Sequence, residues 1–147
     1  MLELNSKLPE FSLPDQDDKT YTHEDFKGSK LVLYFYPKAN TPGWTNEAIS
    51  FRDSQKALDE LNVKVVGVSK DSIKSQKKFA DKNSLNFPLL ADTEGELCNE
   101  FGVLNLIGII KRSTFIFDEE GILINKYEKV IKPGQHGEEV LDLLNNQ

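Results

Sequence analysis

Six consecutive apolar, strand-forming residues, Leu31 to Tyr36, end abruptly at Pro37. Such a run suits a fully buried strand and is too short for a helix of its own. Between Pro37 and Gly43 the chain carries two prolines, an asparagine and a glycine, a turn whose geometry is fixed by ring closure rather than by packing. Glu47, Ala48, Phe51 and Arg52 then read as helix formers with apolar residues three or four apart, and they predict a helix opening at Trp44 or Thr45. A buried strand therefore delivers a rigid loop onto the positive end of a helix. Folds place there a group that must hold negative charge, whether a thiolate or a bound anion.

The remaining elements follow from period and punctuation. Leu4 to Leu13, interrupted by Pro9 and followed by Pro14, reads as an edge strand or extended lead-in. The turn Asp15 to Lys19 and a short strand Thr20 to Thr22 make it a hairpin, and His23 to Gly28 is a brief helical turn closed by glycine. The helix from about Thr45 to Leu61 is expected to face Ala48, Phe51, Ala57, Leu58 and Leu61 inward. Val63 to Ser69 is a core strand, and a helix runs from Asp71 to about Asn83 with its lysines on a wet face. Leu85 to Asp92 is extended, and Glu94 to Phe101 is a short helix stopped by Gly102. Ser113 to Asp118 and Gly121 to Val130 are strands joined by an acidic turn, and His136 to Leu144 is a final helix. Strands alternating with helices and ending in a hairpin give an α/β fold: a mixed central sheet flanked by helices, preceded by an N-terminal β-hairpin.

A chain of 147 residues suits one domain, residues 1–147. Its net charge of −6, with basic residues dispersed, argues against nucleic acid as a partner. No apolar run approaches the ~20 residues of a membrane span, and the N-terminus lacks the apolar core of a secretory signal. The expected location is cytoplasmic. The single cysteine, Cys98, excludes an internal disulfide, a thiolate zinc site and a dithiol pair. The two histidines, His23 and His136, have no neighbour at ligand spacing. Neither metal nor cofactor is expected.

The segment from Tyr34 to Ala48, Tyr-Phe-Tyr-Pro-Lys-Ala-Asn-Thr-Pro-Gly-Trp-Thr-Asn-Glu-Ala, resembles the active-site segment of peroxiredoxins, specifically the bacterioferritin comigratory protein or peroxiredoxin Q branch. Pro37 and Thr41 fall where that family has the proline and threonine of its Pro-x-x-x-Thr-x-x-Cys signature. The resemblance implies a thioredoxin-like fold of the peroxiredoxin type and a family activity of reducing hydrogen peroxide and organic hydroperoxides. It further implies thioredoxin as the reducing partner. A monomer is expected rather than a dimer. In the family a low-pKa thiolate attacks the nearer peroxide oxygen while donors and an arginine stabilise the developing charge. Thr41 would bond to peroxide, Pro37 would shield the pocket from water, and Arg112, directly before the strand at Ser113, falls at the family's active-site arginine.

The family's peroxidatic cysteine position is held by Trp44, and Ile49 stands where some members carry the resolving cysteine. Indole has no ionisable thiol and its N–H can only donate. Cys98, between Leu97 and Phe101, reads as a small buried hydrophobe. Two readings follow: a thiol peroxidase scaffold whose nucleophile has been substituted, inactive as written, or a pseudo-peroxiredoxin that binds a partner or ligand at the old pocket. A thioredoxin-like disulfide oxidoreductase is disfavoured because no Cys-x-x-Cys exists. A tryptophan is too large for a peroxide pocket. Residues 43–47 are therefore expected to be unwound or displaced, with the indole outside the pocket against the apolar surface and Arg112 facing solvent; the alternative is a plugged site, with the ring stacked on the Arg112 guanidinium.

Overall fold

The structure, a computed structural model, describes residues 1–38, 42–129 and 133–145, and of 42–44 the backbone alone. Two short strands, β1 (Ser12–Pro14) and β2 (Thr20–Thr22), form the predicted hairpin, with Ser12 opposite Thr22. A 3-10 turn at His23–Phe26 follows and buries Phe26. The apolar run then becomes β3 (Lys30–Phe35), buried from Leu31 onward. It lies at the centre of a five-stranded sheet ordered β5-β4-β3-β6-β7. The other strands are β4 (Val63–Ser69), β5 (Leu89–Ala91), β6 (Ser113–Phe117) and β7 (Leu123–Tyr127). β3 pairs in parallel with β4 and antiparallel with β6, so the sheet is mixed as expected. A strand with neighbours on both edges and packing on both faces has no solvent side, which is why β3 is apolar without alternation.

Helices cover both faces. On one lie α1 (Pro42–Glu60), α2 (Ile73–Lys82) and α4 (His136–Asn145), whose Phe51, Leu58, Phe79 and Val140 pack on Val32, Tyr34 and Val65. On the other, α3 (Glu96–Phe101) and the N-terminal segment pack Leu97, Phe101 and Phe26 on Leu33, Phe35 and Val66. Gly102 ends α3 in the left-handed region at φ 68°, and a Cβ there would stand 2.6 Å from the Met1 nitrogen. Glycine is required twice over, by conformation and by close approach.

Several boundaries differ from the sequence reading. α1 begins at Pro42 rather than at Trp44 or Thr45, because proline is favourable in a helix's first turn, where its missing N–H would be unpaired anyway. Of the expectation that residues 43–47 are unwound or displaced, the unwinding is corrected: their backbone is helical. Leu61 lies beyond the helix end and is exposed, and Ala57 is only half-buried, so neither is a core residue. The buried residues of α1 include instead the polar Glu47, Ser50 and Ser54. α2 is capped by Ser72, whose hydroxyl accepts from the Ser75 N–H at 3.1 Å, and not by Asp71.

Candidate active site

The strand, turn and helix that dominate the sequence set one end of the sheet. β3 and β6 pair with Phe35 opposite Ser113. Antiparallel register therefore brings Arg112, one residue before β6, alongside the residues that follow Phe35. Pro37, half-buried, lies at that same end. α1 begins there too, and its register turns Glu47 inward next to the buried Ala48. Thr41 lies outside the described residues. The side chain of Trp44 does too, so only the helical backbone at position 44 is known.

Glu47 has no solvent-exposed surface, and neither carboxylate oxygen has a hydrogen-bond partner among the described residues. Arg112 is only partly buried, but its Nε is sealed from solvent and likewise lacks a partner there. Arg112 does not simply face solvent, which corrects the expectation from sequence. Burial pushes the Glu47 carboxyl up to about 8, and the Arg112 guanidinium pulls against that rise. Tyr34, fully buried on β3, has its phenol raised first by burial and then by the Glu47 charge. A carboxyl, a guanidinium and a phenol thus converge beneath the start of α1. Together they can hold a proton at neutral pH and present positive charge to an anion.

Sequence reading singled out Pro37 and Arg112 but took Glu47 only as a helix former. A signal was present: Glu47 adjoins Ala48 and lies one turn before Phe51, on the helix's apolar stripe. A charged residue on such a stripe is either a functional group or an error of register.

Cys98 is on the other face. It has no exposed surface and packs with Leu97 and Phe101. Asp92 caps α3, accepting from the Cys98 N–H at 2.8 Å and the Leu97 N–H at 3.3 Å. Burial, then the Asp92 carboxylate, drives the Cys98 thiol far above its ordinary range. The sheet separates it from Glu47 and Arg112.

Fold and site together define a thioredoxin-fold protein of the peroxiredoxin type, with a strand and a helix that meet at the end of the sheet where an arginine lies. Residues 4–126 match the AhpC/TSA family, and the chain belongs to that family. Peroxiredoxin Bcp of Bacillus subtilis is 42% identical over 151 residues, covering 97% of this chain and 95% of the relative. Among solved structures, peroxidoxin BcpB from Mycobacterium tuberculosis superposes with a TM-score of 0.92 at 32% identity, covering 99% of this chain and 98% of that one. A mutant PrxQ from Xylella fastidiosa gives a TM-score of 0.94 at 33% identity over 99% and 97%.

Proposed function

We propose that this chain is a thiol peroxidase scaffold of the Bcp and peroxiredoxin Q type that lacks its nucleophile, and that it does not turn over peroxide as written. The observation that carries this reading is the state of its single thiol. Cys98 is buried, beside a carboxylate, on the face of the sheet away from Arg112. A peroxidatic thiol needs the reverse: a lowered pKa, access, and positive charge nearby. Trp44 occupies the position where the family resemblance puts that thiol, and indole cannot replace it.

Arg112 and Pro37, at the end of the sheet where α1 begins, support this reading. A thiolate there would stand in the first turn of α1, whose N-terminal dipole and the Arg112 cation would favour the anion. Attack on the nearer peroxide oxygen would form the S–O bond and break the O–O bond, leaving the sulfenic acid and hydroxide. Glu47, neutral near pH 7 because of its burial, would hold a proton beneath this site while Arg112 stabilises the developing charge. Thr41 and Pro37 would complete the pocket. Peroxide as substrate is supported by the names of the relatives, a peroxiredoxin and a peroxidoxin, and a thioredoxin-type reductant is what the family resemblance implies. Among the described residues no helix is long and apolar enough to cross a membrane.

The test is peroxide consumption with a thioredoxin system, run on this chain and on Trp44→Cys side by side. The parent is expected to match a no-protein control. The revertant is expected to form a peroxide-dependent sulfenate, read by mass spectrometry after dimedone trapping. Turnover in the parent would overturn the proposal. A revertant that folds but forms no sulfenate would move the reading to a binding protein on the same fold.

A further inference from the structure

The sheet is incomplete at one place. β5 pairs with β4 only at Gly67, Val68 and Ser69, so among the described residues the first four of β4 have no strand on that side. Successive residues of a central strand point their backbone polar groups to alternate neighbours. Asn62 and Val68 accept from β3-side amides, those of Lys30 and Tyr36, while the Gly67 N–H donates across to Pro88 on the β5 side. Odd-numbered residues therefore face β5. Val65 is one of them, 2% exposed, and among the described residues no backbone hydrogen bond joins its N–H or C=O to the segment before β5. Pro88 on the far wall has no N–H to give. A buried backbone pair without such a bond calls for something that supplies it.

The space in front of these groups is a half-open cleft of about 170 Å³, continuing the plane of the sheet where the missing strand would run. On one face it is walled by Tyr21 and Phe26, whose rings stack at 5.9 Å and 13°; on the other it is bounded by Gln55 and Asp59 of α1, and Phe87 closes the end. Gln55 lines the cleft, and among the described residues its Oε1 is a buried acceptor without a hydrogen-bond partner. The cleft is too small for a strand. Its volume is near that of a cavity that takes a benzene-sized guest. The protein already shows which group satisfies backbone at this edge. On the outer side of β5 the Gln16 carboxamide accepts from the Leu89 N–H at 2.8 Å and donates to the Phe87 carbonyl at 3.0 Å.

We propose that this cleft is a binding site for a small aromatic carboxamide. The amide oxygen accepts from the Val65 N–H, the amide N–H groups donate to the β4 edge carbonyl and Gln55 Oε1, and the ring lies against Tyr21, Phe26 and Phe87. The site is distinct from the one at Arg112. Val65 pairs with Val32, three residues back along β3 from Phe35, on the order of 10 Å away at strand rise.

The experiment is a titration of the full chain with benzamide, followed in 15N–1H correlation spectra, with acetophenone as a ligand of similar shape that lacks the N–H donors. Benzamide is expected to shift the Val65 and Phe87 amide signals saturably and to slow hydrogen exchange at Val65. Acetophenone and the Gln55→Leu variant each remove hydrogen bonds, so acetophenone is expected to bind the parent, and benzamide the variant, about 5-fold or more weakly. Acetophenone binding should not change in Gln55→Leu. An unmoved Val65 amide at saturating benzamide, or acetophenone binding the parent as tightly as benzamide does, would overturn the assignment.

Discussion

Glu47 is a buried carboxyl held above its ordinary range by burial and partly restrained by Arg112. Its sign follows from linkage. The folded protein binds this proton more tightly than the unfolded chain, so the stability it contributes is complete below about 4.5 and is lost as pH rises to about 8. His136 acts oppositely. Buried between Phe51 and Tyr127, with its Nε2 2.8 Å from the Thr114 hydroxyl, it is pushed down to about 4 by burial. Its contribution is complete above 6.5 and is lost as pH falls towards 4. Between pH 6.5 and 8 only Glu47 acts of the two. Stability from denaturant midpoints is expected to fall there by about 1.4 kcal/mol per pH unit, ~2 kcal/mol in all. In Glu47→Gln that slope is expected to vanish. An unchanged slope in the variant would mean that Glu47 is ionised in the folded protein, and the proton-holding role would go with it. Part of this site was legible in sequence: Arg112 and Pro37 stand beside a strand that a reader can place. Glu47 was not, because its helix-forming character masks the more telling fact that it lies on a buried stripe.

At the level of elements, nearly every helix and strand could be placed from apolar period and punctuation. The boundaries moved where a local rule outweighed the pattern, as at Pro42, where a first-turn proline lengthens α1. Close approaches between elements left no such trace. α4 meets α1 at Gly137, whose N–H donates to the Ser50 hydroxyl at 2.8 Å, and a Cβ there would overlap the Ser50 carbonyl and stand 2.9 Å from the Phe51 nitrogen. Apolar periodicity cannot report this, because glycine contributes to neither face of a helix. Gly137→Ala is expected to cost ~1–3 kcal/mol by forcing the two helices apart. Gly134→Ala, where the nearest atom is the Asn46 Cβ at 4.0 Å, is expected to cost far less. Thermal or denaturant unfolding of the pair reads the difference directly. Equal effects would show that α4 is not seated on Ser50.

For the whole molecule, the alternation of strands and helices gave the class of fold, but the strand order rests on pairings between distant residues that no local pattern encodes. Association is likewise a property of the assembled surface. The most apolar exposed feature is the turn between the Leu104–Ile110 bridge residues, where Leu106 is fully exposed, Ile107 79% and Ile109 50%. The turn is built to hold this shape. The Asn105 side chain accepts from the Ile107 and Ile109 N–H groups at 3.0 and 2.9 Å, and the Asn105 N–H donates to the Ile109 carbonyl. Three such side chains amount to a few hundred Å², within the range of an ordinary monomer's largest patch and below the ~800 Å² per partner of a stable interface. At net charge −6, two copies also repel. The protein is therefore expected to sediment as a monomer at tens of micromolar, and Leu106→Ser with Ile107→Ser is expected to leave its sedimentation coefficient unchanged. A concentration-dependent dimer that the double variant abolishes would make this turn an interface, and would place a second subunit close to Arg112.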